Sequence, residues 1–184
     1  MKKWKTIIKT IIIITIAICL LYFYAKTFIY RTTYIEYIEE NVKGEGIDPY
    51  LVLSIIRVES GFNPNAISSK EAKGLMQLRD STYSDVGNLF PPSDKEIDLY
   101  DPEINIKIGI AYFKKLIKKY NGNYYIALLA YNGGMGNVDN WIRQGIVPKD
   151  LDKSFVSDIP FKETRNYLNK VISTYNIYKL LYNI

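Results

Sequence analysis

Apolar residues crowd the first thirty positions of this chain and then recur at helical spacing along the rest of it. Residues 10–25 read Thr-Ile-Ile-Ile-Ile-Thr-Ile-Ala-Ile-Cys-Leu-Leu-Tyr-Phe-Tyr-Ala without a charge. Lys26 interrupts, and Thr27-Phe28-Ile29-Tyr30 resumes the run. About 20 such residues at about 1.5 Å each cross the hydrocarbon of a bilayer, and Lys26 is long enough to reach the interface. A helix that is apolar on every side has no polar face to offer water. Residues 10–30 are therefore predicted to span a membrane, with Tyr22, Phe23, Tyr24 and Tyr30 near the outer headgroups. A cleaved leader would want an Ala-x-Ala-like site after the run, and none stands there. A lipid-modified Cys19 would want a small neighbour where Ile18 stands.

Beyond residue 33 the pattern changes to amphipathic. Residues 34–42 predict a short helix, and Lys43-Gly44-Glu45-Gly46 a turn. In Asp48-Pro49-Tyr50-Leu51-Val52-Leu53-Ser54-Ile55-Ile56-Arg57-Val58-Glu59-Ser60-Gly61, Asp48 reads as an N-cap, Pro49 as the first helical residue and Gly61 as the stop. Residues 61–73 and 88–98 read as loops, the second carrying Pro91-Pro92. Residues 74–78 form an apolar stretch too brief to assign, and the only candidate strand. Asp101-Pro102 repeats the cap-and-start signature and opens a helix to about Tyr120. Further helices are expected over 124–131, ended by Asn132-Gly133-Gly134, over 138–143 and over 161–181. No repeat or low-complexity tract occurs. The chain is thus predicted as a basic segment (1–9), a membrane span (10–30) and one mainly α domain (34–184).

Composition sharpens this. The chain has 24 Lys and Arg against 19 Asp and Glu, but six of the basic residues and none of the acidic ones lie within residues 1–33. The remaining eighteen cations face nineteen acids, so the body lacks the basic surface of a nucleic-acid binder. Lys2, Lys3, Lys5 and Lys9 outnumber Lys26 and Arg31, which predicts a cytoplasmic N-terminus and an exported body on the cell-wall side. There is no His, which excludes Ser-His-Asp and Cys-His catalysis and the usual zinc sites. The single Cys19 excludes an intrachain disulfide. Seventeen Tyr supply amphipathic rings for packing or for stacking sugars.

Glu59 is the candidate for chemistry. Val52, Ile55 and Ile56 lie seven, four and three residues before it, on one helical face that should point at the core. A carboxyl held there is desolvated, which favours its protonated form. A glutamic acid protonated near neutral pH is what glycosidic cleavage needs as general acid. A Glu at a helix end is equally a common solvated boundary residue, so the pattern alone leaves both readings open.

Four ordered stretches decide between them. Glu59-Ser60, Gly74-Leu75-Met76-Gln77, Ala130-Tyr131-Asn132 and Glu163-Thr164-Arg165-Asn166-Tyr167, with Asp101-Pro102-Glu103-Ile104-Asn105-Ile106, Gly109 and Tyr112, resemble lytic transglycosylases of the soluble-transglycosylase (SLT) type. These belong to the lysozyme-like superfamily. The resemblance spans about residues 46–180. It implies a mainly α, lysozyme-like domain with little or no sheet. It implies Glu59 as the single acid/base, and a groove for peptidoglycan glycan strands lined by Ser68, Gln77, Tyr112, Tyr131, Asn132 and Tyr167. It also implies cleavage of the bond between N-acetylmuramic acid and N-acetylglucosamine with a 1,6-anhydro product. No cofactor or metal is called for, and no protein partner is indicated.

Each of these residues has an ordinary reading beside the functional one. Tyr112 and Tyr167 suit a core as well as a groove, Asn132 can end a helix, Met76 suits groove wall or core, and Glu163 can complement a helix dipole. One departure stands out. Members often carry Met-Pro where this chain has Arg79-Asp80. Asp80 is expected as a helix cap or as a surface partner of Arg79. The sharper alternative makes it a water-activating base and the protein a hydrolytic muramidase. A non-catalytic wall-binding scaffold is the third possibility, disfavoured by the joint presence of Glu59, Gln77 and Asn132.

Overall fold

The computed structural model describes residues 2–87, 97–148 and 153–182. Most of the expected loop over 88–98 lies outside them. The chain divides into two compact units, residues 1–33 and 34–184.

The N-terminal unit is helix α1, Lys2–Tyr24, continued by a π-helical turn, Ala25–Ile29. The basic segment is thus helical too, and the run Lys3–Ile29 is long and apolar enough to cross a membrane. Thr10 Oγ1 donates to Thr6 O (3.1 Å) and Thr15 Oγ1 to Ile11 O (3.0 Å). Both hydroxyls are thereby satisfied within the helix, as hydrocarbon requires. Lys26 Nζ lies 5.5 Å from the Tyr22 ring centre, and Tyr24 packs on Phe28.

The second unit is helical. Its elements are α2 (Ile35–Val42), α3 (Pro49–Ser60), α4 (Asp80–Val86), α5 (Pro102–Lys119), α6 (Tyr124–Gly133), α7 (Met135–Arg143), a 3-10 turn (Lys153–Asp158) and α8 (Lys162–Tyr182). Among the described residues the only β pairing is two isolated bridges, Ile67 with Lys73 and Lys73 with Leu78. The mainly α expectation holds.

Helix α3 forms the centre. Leu51, Val52, Leu53, Ile55 and Ile56 are buried, each worth about 1.5–3 kcal/mol on removal from water. Asp48 caps the helix, its Oδ1 accepting from Tyr50 N at 2.8 Å. Its Oδ2 also accepts from the Tyr175 hydroxyl of α8, so one side chain ends α3 and ties it to a neighbour. Helix α8 packs along α3 and α6 with Thr164, Tyr167, Leu168, Val171, Ile172, Thr174 and Tyr178 inward. Helix α5 lies on α6, α2 and α4.

Three departures have local causes. Helix α4 carries only Val86 as a buried residue, so periodicity could not announce it. It is held to α5 by Lys115, whose Nζ donates to Asp85 O at 2.9 Å. Residues 74–78 make a tight turn instead of a strand, with φ +75° at Gly74 and +49° at Gln77. Helix α6 runs on through Asn132 and Gly133 and breaks at Gly134, whose φ of +83° leaves the helical region; a Cβ at Gly133 would stand 3.1 Å from Thr164 Oγ1 on α8.

Candidate active site

The C-terminal end of α3 delivers Glu59 one residue before the helix stops at Gly61, whose N–H reaches back to Arg57 O. Glu59 is half-buried, its carboxyl largely enclosed by protein. That enclosure dominates its titration. Burial pushes the carboxyl up from its usual 4.5 to about 7. The Tyr167 hydroxyl opposes the rise, and the negative charge of Glu163 adds to it. An aliphatic face on α3 and α8 packed alongside remove the water that would stabilise the carboxylate. The result is an acid that holds its proton close to neutral pH.

Two tyrosines feel its charge. Tyr167 descends from α8, buried, its hydroxyl without a hydrogen bond of ordinary geometry to any described protein atom. Its pKa is raised by burial and then by the Glu59 charge. Tyr131, from α6, donates to Met76 O at 2.8 Å, and burial and Glu59 raise its pKa also. The Tyr112 ring of α5 lies 5.6 Å from that of Tyr131 and Phe113 6.1 Å. Tyr112 is 8% exposed, so it supports Tyr131 and offers a ligand little area.

The turn over residues 74–77 faces this cluster through Met76. Lys73 and Leu78 exchange both backbone hydrogen bonds (2.8 and 2.9 Å) and close it. Gln77 sits in the left-handed region, a conformation costing about 1–3 kcal/mol for a residue with a Cβ. Its Nε2 offsets this by donating to Gly74 O (3.0 Å) and Ala66 O (3.2 Å). The amide nitrogen is thus committed to the turn, and Oε1 is the end left to accept. A Cβ at Gly74 would stand 2.3 Å from Leu99 O and from Asn105 Nδ2, so only glycine fits.

The remaining expected residues are placed as follows. Ser68 Oγ accepts from Lys70 N (3.2 Å) and Ala72 N (3.0 Å), so it shapes the loop and keeps only its hydrogen to give. Asn132, in the last turn of α6, is half-buried beside Tyr131. Glu163 opens α8, exposed, 3.5 Å from Lys70 Nζ. Asp80 stands in the first turn of α4 with its side chain 81% exposed, and it pairs with Lys73 at 3.1 Å. It is a surface partner as expected, of Lys73 instead of Arg79. A cavity of 340 Å³ adjoins the turn, lined by Lys73, Ile97, Asp98, Leu99 and Tyr100; Glu59 does not line it.

Asn105 escaped the sequence reading as a site residue, and a signal existed. It is a polar residue in the buried stripe of α5 that runs through Ile108, Gly109, Tyr112, Phe113 and Leu116. A polar group in such a stripe must be hydrogen-bonded.

Among the described residues, Glu59 is the one carboxyl whose pKa is raised in this way, at the end of a helix in a helical domain. Residues 36–150 match the Transglycosylase SLT domain family, and the chain belongs to it. The chain is 34% identical over 132 residues to the soluble lytic murein transglycosylase of Escherichia coli K12, covering 71% of this chain and 20% of that protein. It is 36% identical over 156 residues to the membrane-bound lytic murein transglycosylase C of Pectobacterium atrosepticum, covering 73% and 43%. An inactive Glu-to-Gln mutant of lytic transglycosylase Slt from Pseudomonas aeruginosa has the same fold, with a TM-score of 0.72 and 30% identity over 84% of this chain and 25% of that one. The chain spans about a fifth of the length of the first of these curated relatives and less than half of the second.

Proposed function

We propose that this protein is a membrane-anchored lytic transglycosylase that cuts the glycan strands of peptidoglycan. The observation that carries the reading is the lone Glu59 carboxyl with its pKa near 7. Protonated Glu59 gives its proton to the oxygen joining N-acetylmuramic acid to N-acetylglucosamine. The carboxylate left behind accepts the proton of the muramic acid 6-hydroxyl, and that oxygen closes on C1 of the same sugar. One bond breaks and one forms, the proton returns to Glu59, and the product is a 1,6-anhydro sugar. A single carboxyl serves both steps because its roles are sequential and its pKa lies near the working pH. The neighbouring N-acetyl group stabilises the developing positive charge.

Gln77 is proposed to accept from a hydroxyl or N-acetyl N–H through its remaining Oε1, Asn132 to hold such groups through amide donors and acceptors, and Ser68 to donate its remaining hydrogen. Tyr131 and Tyr167 flank the acid, with Tyr112 behind Tyr131. Residues 10–30 hold the enzyme in the membrane with residues 1–9 in the cytoplasm and 34–184 on the wall side. The exposure of Asp80 and its pairing with Lys73 favour this reading over a muramidase, since its carboxylate is engaged at the surface.

Digestion of purified peptidoglycan followed by mass analysis of the fragments tests it. Anhydro ends are expected; reducing ends, one water heavier, would make the enzyme a hydrolase. Glu59→Gln should lower the rate by about 10²–10⁴-fold or more. Cleavage unaffected by that change would overturn the proposal.

A further inference from the structure

The turn over residues 73–78 is fastened to two helices before any ligand meets it. Asn105 of α5 is fully buried. Its Oδ1 accepts from Met76 N at 2.7 Å, and its Nδ2 donates to Leu99 O at 2.7 Å and to Lys73 O at 3.0 Å. One amide thus holds the turn at Lys73 and again at Met76. A second hold runs through the side chain. The Met76 thioether fills the notch over Gly109 of the same helix, where a Cβ would lie 2.3 Å from Sδ. A third comes from α6, whose Tyr131 hydroxyl donates to Met76 O at 2.8 Å. The N–H, the carbonyl and the side chain of Met76 are all engaged, so the peptide leading into Gln77 is held in one orientation.

Gln77 takes its direction from that peptide. Its backbone stands at φ +49°, a strained region for a residue with a Cβ. Its Nε2 donates to Gly74 O at 3.0 Å and Ala66 O at 3.2 Å. Both partners are carbonyl oxygens, so the nitrogen must face them and Oε1 must face away. Among the described residues no protein donor meets Oε1. Gln77 is half-buried, and this oxygen is not sealed from solvent. The turn therefore presents one acceptor whose direction is set on folding.

We infer that Asn105 is a positioning residue for substrate: by fixing Met76 it aims Gln77 Oε1 at an N–H or O–H of the bound sugar. The inference rests on the reading of Gln77 as a glycan contact and adds what aims it. A free amide can flip and suit either a donor or an acceptor. One pinned by its nitrogen favours a hydroxyl or an acetamido N–H and leaves a bare carbonyl or ether oxygen unmatched. Since the side chain is already ordered, little of its freedom is lost on binding.

The test measures the Kd of a soluble oligosaccharide of alternating N-acetylglucosamine and N-acetylmuramic acid by calorimetry. It uses the full chain in detergent, in a Glu59→Gln background so that nothing is turned over. Asn105→Ser loosens the hold on Met76 N, and Gly109→Ala displaces the same residue through its side chain without touching the Asn105 bonds. Gln77→Asn suits the left-handed backbone but withdraws the amide by one methylene. Each should weaken binding about 3–10-fold, the size of one neutral hydrogen bond. In the Gln77→Asn background neither of the other changes should weaken it further. Melting temperature is followed in parallel. An affinity that stays put while the melting temperature falls would reduce Asn105 to a packing residue, and a loss that persists in Gln77→Asn would detach it from Gln77. If Asn105→Ser fails to fold, Gly109→Ala reads the same coupling. A wild type that binds the sugar and cuts nothing would sink the proposed function and leave this cycle readable. A chain that binds none of the sugar would overturn the inference.

Discussion

At the scale of the residue, everything turns on the proton of Glu59. With a pKa of about 7, the acid on which the proposed cleavage relies is present below that pH and lost above it. The rate constant kcat/KM on peptidoglycan should therefore fall as pH rises through about 7. Tyr167→Phe deletes the group that opposes the rise, so the fall should move to higher pH, measurable in the same profile. The same shift bears on stability. The folded state holds the Glu59 proton between 4.5 and about 7, where the unfolded chain has released it. Folding therefore binds a proton in that window, and this contribution to stability is present below 4.5 and lost as pH rises through about 7. Glu59→Gln should raise the melting temperature at pH 8 relative to wild type and change it little at pH 4. Equal effects at both pH values would mean the carboxyl is ordinarily solvated.

Elements bring such residues together, and the weak points of this fold are where two elements share one atom. Gly74→Ala should cost at least about 1–3 kcal/mol from its left-handed φ alone, and more because the new Cβ meets the Leu99 carbonyl and Asn105. Denaturant unfolding checks this, and a loss below about 0.5 kcal/mol would mean the turn relaxes freely. Asp48→Ala should cost about 0.5–2 kcal/mol for the lost cap, plus the orphaned Tyr175 hydroxyl on α8. Asp48 and Gly61, the bounds of α3, were legible because caps are local chemistry. Helix α4 was not, since seven mostly polar residues carry no periodic signal and owe their helix to α5. The turn over 74–78 looked like a candidate strand because its apolar residues give no hint of the positive φ at Gln77. That strain is sustained by Ala66, eleven residues upstream.

At the scale of the whole molecule, a helical domain follows an apolar helix, and the two are expected to be separable. Deleting residues 2–33 should move the protein from the membrane fraction to the soluble one while Glu59-dependent cleavage of peptidoglycan persists. Loss of activity together with loss of folding would show that the body depends on its anchor. In intact cells stripped of wall, external protease should degrade the body and spare the N-terminal lysines; the reverse pattern would invert the topology. The sequence by itself determined the apolar N-terminal helix, the helical body, the ends of α3 and the face on which Glu59 stands, because each follows from short-range periodicity and capping. Only the tertiary structure decided the state of that acid. Burial and the opposing Tyr167 hydroxyl join residues 59 and 167, and a desolvation strong enough to move a pKa exists only once α8, far along the chain, has packed against α3.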